Sequence, residues 1–340
     1  MAIIFIGKEF KYRNFIQTQI FSKYKTDEIY YFDNVEFEIE SILGQHKEVL
    51  VVSNEKLYST IAKIIATLND DILELKNGYL VPTNTILFDK NSFLISHNDT
   101  LINLIKITDF IPNILLKKEI FTLHIFNYDL MMVQTFIKPI FETFQIDYTI
   151  YQNEGRWCEV KFEKFNESLI KQLKGFIPHI IFEDNIFKYL KNKLSQLNKK
   201  ITFAESCTGG LIASNLTKIA GSSEVFDGSV VSYANKIKSK WLNVSENVLE
   251  NFGAVSKECV EEMLEGVLKL TQSDYAIAVS GIAGPEGGSD IKPVGTVYIG
   301  VANKENKYIE RIIFKGSRQE VQYQAMLYSI GLLIRKFELY

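Results

Sequence analysis

The chain has 340 residues and is 46% hydrophobic, 23% charged and 13% aromatic, a globular composition long enough for two or three domains and incompatible with wholesale disorder. Its 38 Lys and Arg against 41 Asp and Glu leave a net charge of −3, so no basic field exists to hold nucleic acid by phosphate neutralisation. Three cysteines, Cys158, Cys207 and Cys259, exclude a disulfide framework and fit a reducing, cytoplasmic setting. Lys8 and Glu9 interrupt the opening apolar stretch, and no later run approaches the length of a membrane span, so neither a secretory leader nor a membrane partner is expected.

In chain order, Ala2–Ile6 reads as a short apolar strand, Phe15–Ser22 as a helix, Val49–Ser53 as a second strand and Leu57–Leu68 as a helix. Strand and helix in alternation predict an open α/β sheet. Phe121–Asn127 and Trp157–Phe162 then read as strands, with Leu130–Phe144 and Glu167–Phe176 as helices, a small α+β unit. Asn185–Lys200 carries Ile186, Leu190, Leu194 and Leu197 near helical spacing. Further on, Ile201–Ala204, Ser229–Tyr233, Tyr275–Ser280, Val294–Ala302 and Tyr308–Phe314 read as strands. Between and after them come helices at Leu211–Ile219, from Lys236, from the cap Ser256 to Leu270, and at Arg318–Phe337. The fold class expected is therefore multidomain α/β, divided at 1–116, 117–184 and 185–340.

Glycine and histidine separate the halves. Of 19 glycines only Gly7, Gly44, Gly78, Gly155 and Gly175 precede residue 200, while all four histidines do. Glycine permits tight turns and close approach of backbone to ligand, so the chemistry is expected in the C-terminal part. Ser206 follows a strand and precedes Cys207, Thr208, Gly209 and Gly210 at a helix start, where backbone N–H groups converge on one point. Such donors suit an oxyanion or a phosphate. The alternative is plain helix capping by Ser206. Cys207 is a rival nucleophile, although small buried thiols are commoner.

Gly281–Ser289 holds four glycines in eight residues after a strand, yet matches neither the P-loop nor the dinucleotide fingerprint. A substrate cradle is the favoured reading. Tyr233-Ala-Asn235-Lys236-Ile-Lys238-Ser-Lys240 reads either as a solvated basic helix start or as the source of one inward lysine, whose lowered pKa makes it a base for a serine. Arg318 can fork onto a phosphate or carboxylate, or simply pair on the surface. No His/Cys/Asp cluster has metal-ligand spacing.

These residues carry a resemblance. Ala204-Glu205-Ser206-Cys207-Thr208-Gly209-Gly210, Ala220-Gly-Ser-Ser223, Tyr233-Ala-Asn235-Lys236-Ile-Lys238, Gly253-Ala-Val-Ser256, Ser280-Gly281-Ile-Ala283-Gly284-Pro-Glu-Gly287-Gly288 and Lys292-Pro-Val-Gly-Thr-Val297 occur in order over about 185–340. Together they closely resemble the CinA C-terminal domain, the bacterial nicotinamide mononucleotide (NMN) deamidase. The resemblance implies hydrolysis of the NMN carboxamide to nicotinic acid mononucleotide and ammonia, without metal or organic cofactor. It implies Ser206 as nucleophile, Lys238 as its base and Tyr233 assisting. Glu205, Cys207, Thr208, Gly209, Gly210, Asn235, Ser280, Gly281, Ala283, Gly284, Gly287, Gly288 and Arg318 are implied to bind substrate, with Arg318 on the phosphate. A homodimer is implied by the same resemblance.

The N-terminal part resembles the rest of a full-length CinA, whose first domain is similar to molybdopterin-binding proteins and can act as a metal-dependent ADP-ribose pyrophosphatase. The signature of that domain, Gly-Gly-Leu-Gly-Pro-Thr with paired aspartates, is replaced here by Ser53-Asn54-Glu55-Lys56-Leu57-Tyr58-Ser59-Thr60. The resemblance therefore implies a pyrophosphatase activity lost. Residues 117–184 resemble the KH-like middle domain in element order, and the missing Gly-x-x-Gly loop speaks against RNA. The rival expectations are a catalytically silent nucleotide-binding or scaffold protein and a retained ADP-ribose pyrophosphatase.

Overall fold

A computed structural model describes residues 1–21, 24, 26–34, 39–43, 45–116 and 120–340. Two compact units result, Met1–Glu119 and Ile120–Tyr340. The helix end expected at Ser22 and the boundary expected at 117 fall outside the described residues.

The first unit is a mixed α/β sheet. Its elements run β1 (Ala2–Ile6), α1 (Asn14–Phe21), β2 (Glu28–Phe32), α2 (Ile39–Leu43), β3 (Glu48–Asn54), α3 (Glu55–Leu68), β4 (Leu73–Lys76), β5 (Tyr79–Pro82), β6 (Leu87–Asp89), β7 (Ser92–His97) and β8 (Thr100–Ile107). Six of the strands form one sheet in the order β2-β1-β3-β8-β7-β6, while β4 and β5 pair as a separate hairpin. Every residue of β1 is buried, which is why Ala2–Ile6 reads as a continuous apolar run. Strands β4 to β7 have three to six residues and β8 has eight, and the sequence reading did not anticipate them. The turn pairs Asn77-Gly78 and Asn98-Asp99, all at positive φ, mark two of the connections.

The second unit holds two sheets. The first is built from β9 (Phe121–Phe126), α4 (Leu130–Thr143), β10 (Tyr148–Asn153), β11 (Trp157–Phe162), α5 (Glu167–Phe176) and β12 (Ile180–Phe182). Its four antiparallel strands lie in the order β10-β11-β9-β12. One face packs on α4 and α5 through Leu123, Val160, Val133 and Leu169. The other face offers Phe126, Trp157 and Ile181 to the core of the following sheet.

That following sheet carries the site. Its elements are α6 (Ile186–Gln196), β13 (Ile201–Glu205), α7 (Leu211–Thr217), β14 (Ser229–Val231), α8 (Asn235–Leu242), α9 (Glu246–Asn251), α10 (Lys257–Thr271), β15 (Tyr275–Gly281), β16 (Thr296–Ala302), β17 (Lys307–Ile313) and α11 (Arg318–Lys336). The strands lie in the order β14-β13-β15-β16-β17, the first three parallel and the last two antiparallel. Strand alternation sorts side chains by size. Phe203, Ile277 and Val279 face the core shared with α6, α7 and α11, whereas Ala204, Ala276 and Ala278 face α8 and α10. The small face lets α10 lie close. A side chain at Gly300 would sit 2.7 Å from Leu264 and Val260, and one at Gly266 would meet the Leu242 carbonyl at 2.0 Å. The strand order reverses between β13 and β15, so a crevice opens at their carboxyl ends. Ser206 follows β13 there, and Gly281–Ser289 begins at the end of β15.

Candidate active site

A cleft of about 280 Å³ occupies that crevice. It is lined by residues of the β13–α7 turn, by Tyr233 and Lys238, by Ala254 and Val255, and by the Ser280–Gly287 segment with Arg318.

Ser206 is nearly buried, at 7% exposure, and its Oγ lies 2.9 Å from Lys238 Nζ across 32 residues of chain. Lys238 is fully buried, while its neighbours Lys236 and Lys240 on α8 are exposed. Its Nζ also meets the carbonyl oxygens of Ser232 at 2.6 Å and Tyr233 at 3.3 Å. Burial pushes the Lys238 pKa below its ordinary 10.5, because the dry interior disfavours the ammonium, and the nearby Cys259 and Cys207 thiols oppose the shift only in part. The geometry serves both protonation states. As an ammonium the group has three N–H donors for three oxygens. As an amine it gives two N–H groups to the carbonyls and turns its lone pair to the Ser206 hydroxyl.

Cys207 also lines the cleft, but burial pushes its thiol up to about 12, so the thiolate needed for attack is not formed near neutrality. Cys259 is similarly pushed up to about 11. Between the two side chains of the β13–α7 turn, it is the hydroxyl of Ser206 that is hydrogen-bonded to Lys238.

The helix-capping role does not belong to Ser206. Glu205, fully buried, accepts the N–H groups of Gly210 at 3.0 Å, Ile212 at 3.1 Å and Ala213 at 2.9 Å. A carboxylate at the start of α7 satisfies donors that the helix leaves open and complements its dipole. Glu205, implied by the resemblance to bind substrate, holds the turn and does not line the cleft. Gly209 and Gly210 sit at φ +62 and +96, conformations that side-chain-bearing residues resist. Thr208, Gly209, Gly210 and Gly288 do not line the cleft, nor does exposed Asn235, the first residue of α8. The strand expected to reach Tyr233 stops at Val231, which frees the chain to turn into α8 and present Lys238 inward.

Tyr233 contributes by two routes. Its carbonyl accepts from Lys238, and its half-exposed hydroxyl accepts from Arg318 Nη2 at 2.7 Å. Arg318 opens α11 behind the cap Ser317, whose capping box with Glu320 secures the helix start. Its Nη1 donates to the Gly284 carbonyl at 2.8 Å, so one guanidinium ties the glycine-rich segment to Tyr233. Ser280 Oγ donates to the Ala254 carbonyl at 2.7 Å, joining Ala254 and Val255 to the wall. Those two residues, with Ile282 and Glu286, were not singled out as site residues. Gly253-Ala-Val-Ser256 carries the signal for the first two, a turn into the cap of α10.

The family model for the CinA C-terminal domain matches residues 183–337. A competence damage-inducible protein A from Klebsiella pneumoniae, of known structure, is 36% identical; the match covers 45% of this chain and 95% of that one, with a TM-score of 0.44. The chain belongs to the CinA family. A CinA-like protein of Endomicrobium trichonymphae is 42% identical over 234 residues, which is 63% of this chain and 54% of its own length. A CinA-like protein of Thermosipho melanesiensis is 45% identical over 184 residues, covering 52% of this chain and 44% of its own length. The chain thus spans about half the length of the curated CinA-like relatives it matches. Among the described residues no helix is long and apolar enough to cross a membrane.

Proposed function

We propose that the second unit hydrolyses the carboxamide of nicotinamide mononucleotide through an acyl-enzyme on Ser206. One observation carries this reading: a fully buried lysine with a lowered pKa, 2.9 Å from a serine hydroxyl at the floor of a cleft. Burying an amine is costly, and its three partners, the Ser206 hydroxyl and two carbonyls, are all neutral, so the arrangement points to proton transfer.

The steps follow from the groups present. Lys238, as the free amine, takes the Ser206 proton while Oγ bonds to the carboxamide carbon. The carbonyl electrons move onto oxygen, where N–H donors of the turn hold the charge. The Lys238 ammonium then gives its proton to the carboxamide nitrogen as the C–N bond breaks, so that it leaves as ammonia. Water attacks the resulting ester, again giving its proton to Lys238. Oγ leaves, recovers that proton, and the carboxylate product is released. Arg318 supplies the cationic end of the cleft and takes the phosphate by exchanging one of its present partners for it. A homodimer is the assembly we propose for the working protein, measurable by light scattering.

The first unit supports the other half of the proposal, that pyrophosphatase activity is lost. The order β2-β1-β3 places a crevice at Gly7 and Asn54. Glu9 fills it by accepting from Asn54 Nδ2 at 2.6 Å, while Asn54 Oδ1 caps α3. The crevice thus holds a side-chain pair where the signature has a glycine-rich cradle. The test is ammonia release from NMN beside AMP release from ADP-ribose, with Ser206→Ala as control. Ammonia release by the wild type and its loss in a folded Ser206→Ala protein support the reading. Metal-dependent AMP release overturns the second half, and an inert wild type that still binds NMN favours a binding role.

A further inference from the structure

We infer that Gln322 is a positioning residue that sets the oxyanion donor of this site by fixing the plane of the Cys207–Thr208 peptide, an inference that rests on the Ser206 acyl-enzyme reading. Gln322 stands one turn beyond Arg318 on α11 and does not line the cleft. Its Nε2 donates to the Cys207 carbonyl at 2.7 Å across 115 residues of chain. In a trans peptide the carbonyl and the next N–H point to opposite sides. With the Cys207 carbonyl turned to α11, the Thr208 N–H is turned away from it.

Three other N–H groups of the turn are engaged. Ser206 donates to the Val279 carbonyl at 2.9 Å, Gly209 to the Ser206 carbonyl at 3.1 Å, and Gly210 to the Glu205 carboxylate at 3.0 Å. Among the described residues the Thr208 N–H has no partner, and the Thr208 hydroxyl is also buried without one. The Cys207 N–H, on the preceding peptide, also has no partner among the described residues. Thr208 itself does not line the cleft, but its N–H belongs to the peptide it shares with Cys207, which does. An unpaired donor in a residue only 3% exposed is rare, and it is assigned to the substrate oxygen. The two glycines that follow leave the backbone free to rotate, so the plane needs an outside tie. Rotated the other way, the Cys207 carbonyl faces the cleft and opposes negative charge on the reacting oxygen.

The test uses the full chain with Gln322→Met, which keeps side-chain length and loses the donor. Two readouts are taken, NMN turnover and labelling of Ser206 by a small alkyl fluorophosphonate, in which Oγ bonds to phosphorus and fluoride leaves. Expected are a kcat lower by about 10²–10³-fold, the loss typical for one oxyanion donor, an unchanged KM, and slowed labelling in a protein with the wild-type circular dichroism. Wild-type kcat and labelling rate in Gln322→Met overturn the inference, as does a raised KM with kcat intact. If wild type labels at Ser206 but leaves NMN untouched, the substrate assignment fails while the labelling ratio still decides the role of Gln322. If wild type does not label, the nucleophile assignment fails and the inference falls with it.

Discussion

Replacing Lys238 by Met removes the amine and keeps most of the volume. The substitution deprives Ser206 of its only basic neighbour in the cleft apart from the guanidinium of Arg318, which does not deprotonate. A positioned general base contributes about 10²–10⁴-fold, or about 3–5 kcal/mol of barrier, so kcat is expected to fall by that factor. KM stays near the wild-type value, because Lys238 touches the reacting serine and two carbonyls, not the ends of the cleft. The fold survives. The Ser232 and Tyr233 carbonyls each lose a donor, at about 1–3 kcal/mol, and this is opposed by release of an amine buried without a counter-charge. The pH profile gives a second, independent readout. The free amine is the active form, so kcat/KM of the wild type rises with pH and levels off above a pKa lower than 10.5. That limb is absent from the residual activity of Lys238→Met. Ammonia release measured by a coupled dehydrogenase assay across pH supplies both numbers. A Lys238→Met protein within tenfold of wild type, or one that keeps the same acid limb, refutes the reasoning.

Three further outcomes are expected. Arg318→Gln raises KM for NMN by about 10- to 150-fold, the value of one to two charge-assisted contacts, and leaves the KM for the phosphate-free riboside unchanged; equal changes for both substrates count against a phosphate site. Cys207→Ala retains turnover, since its thiol is pushed up to about 12 and is not the nucleophile; a folded but inactive variant contradicts this, and iodoacetamide mapping of the native protein checks it separately. Stability is expected to fall on acidification because of His124, buried against Trp157 Nε1 at 3.2 Å and the Glu183 carbonyl at 2.9 Å. Burial lowers its pKa below 6.5 in the folded state, so the unfolded chain binds the extra proton first, and stability declines from about pH 6.5 down to the folded pKa. Urea midpoints at several pH values test it, and a His124→Gln protein with the same pH slope excludes His124 as the cause.

The candidate site was legible to differing depths. Ser206 and the Gly281–Ser289 segment stand out because strand-end glycines and a serine at a helix start are local patterns, whereas Lys238 was singled out from its neighbouring lysines only by the resemblance. Glu205 was assigned to substrate only by the resemblance, and the sequence held no sign that its carboxylate would meet the start of α7. The hairpins between Leu73 and Ile107 were missed because strands of three to eight residues carry little periodicity, although Asn77-Gly78 marked a turn.

By itself the sequence determined the α/β class, most element positions in the second unit, and the chemistry-bearing segments. These depend on apolar spacing, caps and glycine, which act over a few residues. Only the tertiary structure decided which lysine of α8 turned inward, that Glu205 serves a helix, that Arg318 bridges Tyr233 and Gly284, and that Gln322 holds the Cys207 carbonyl. Each of these last contacts joins groups whose meeting is set by how helices and strands pack. Whether a buried lysine is a base, or a serine merely a cap, is settled by the neighbours that packing brings, and no short window of sequence contains them.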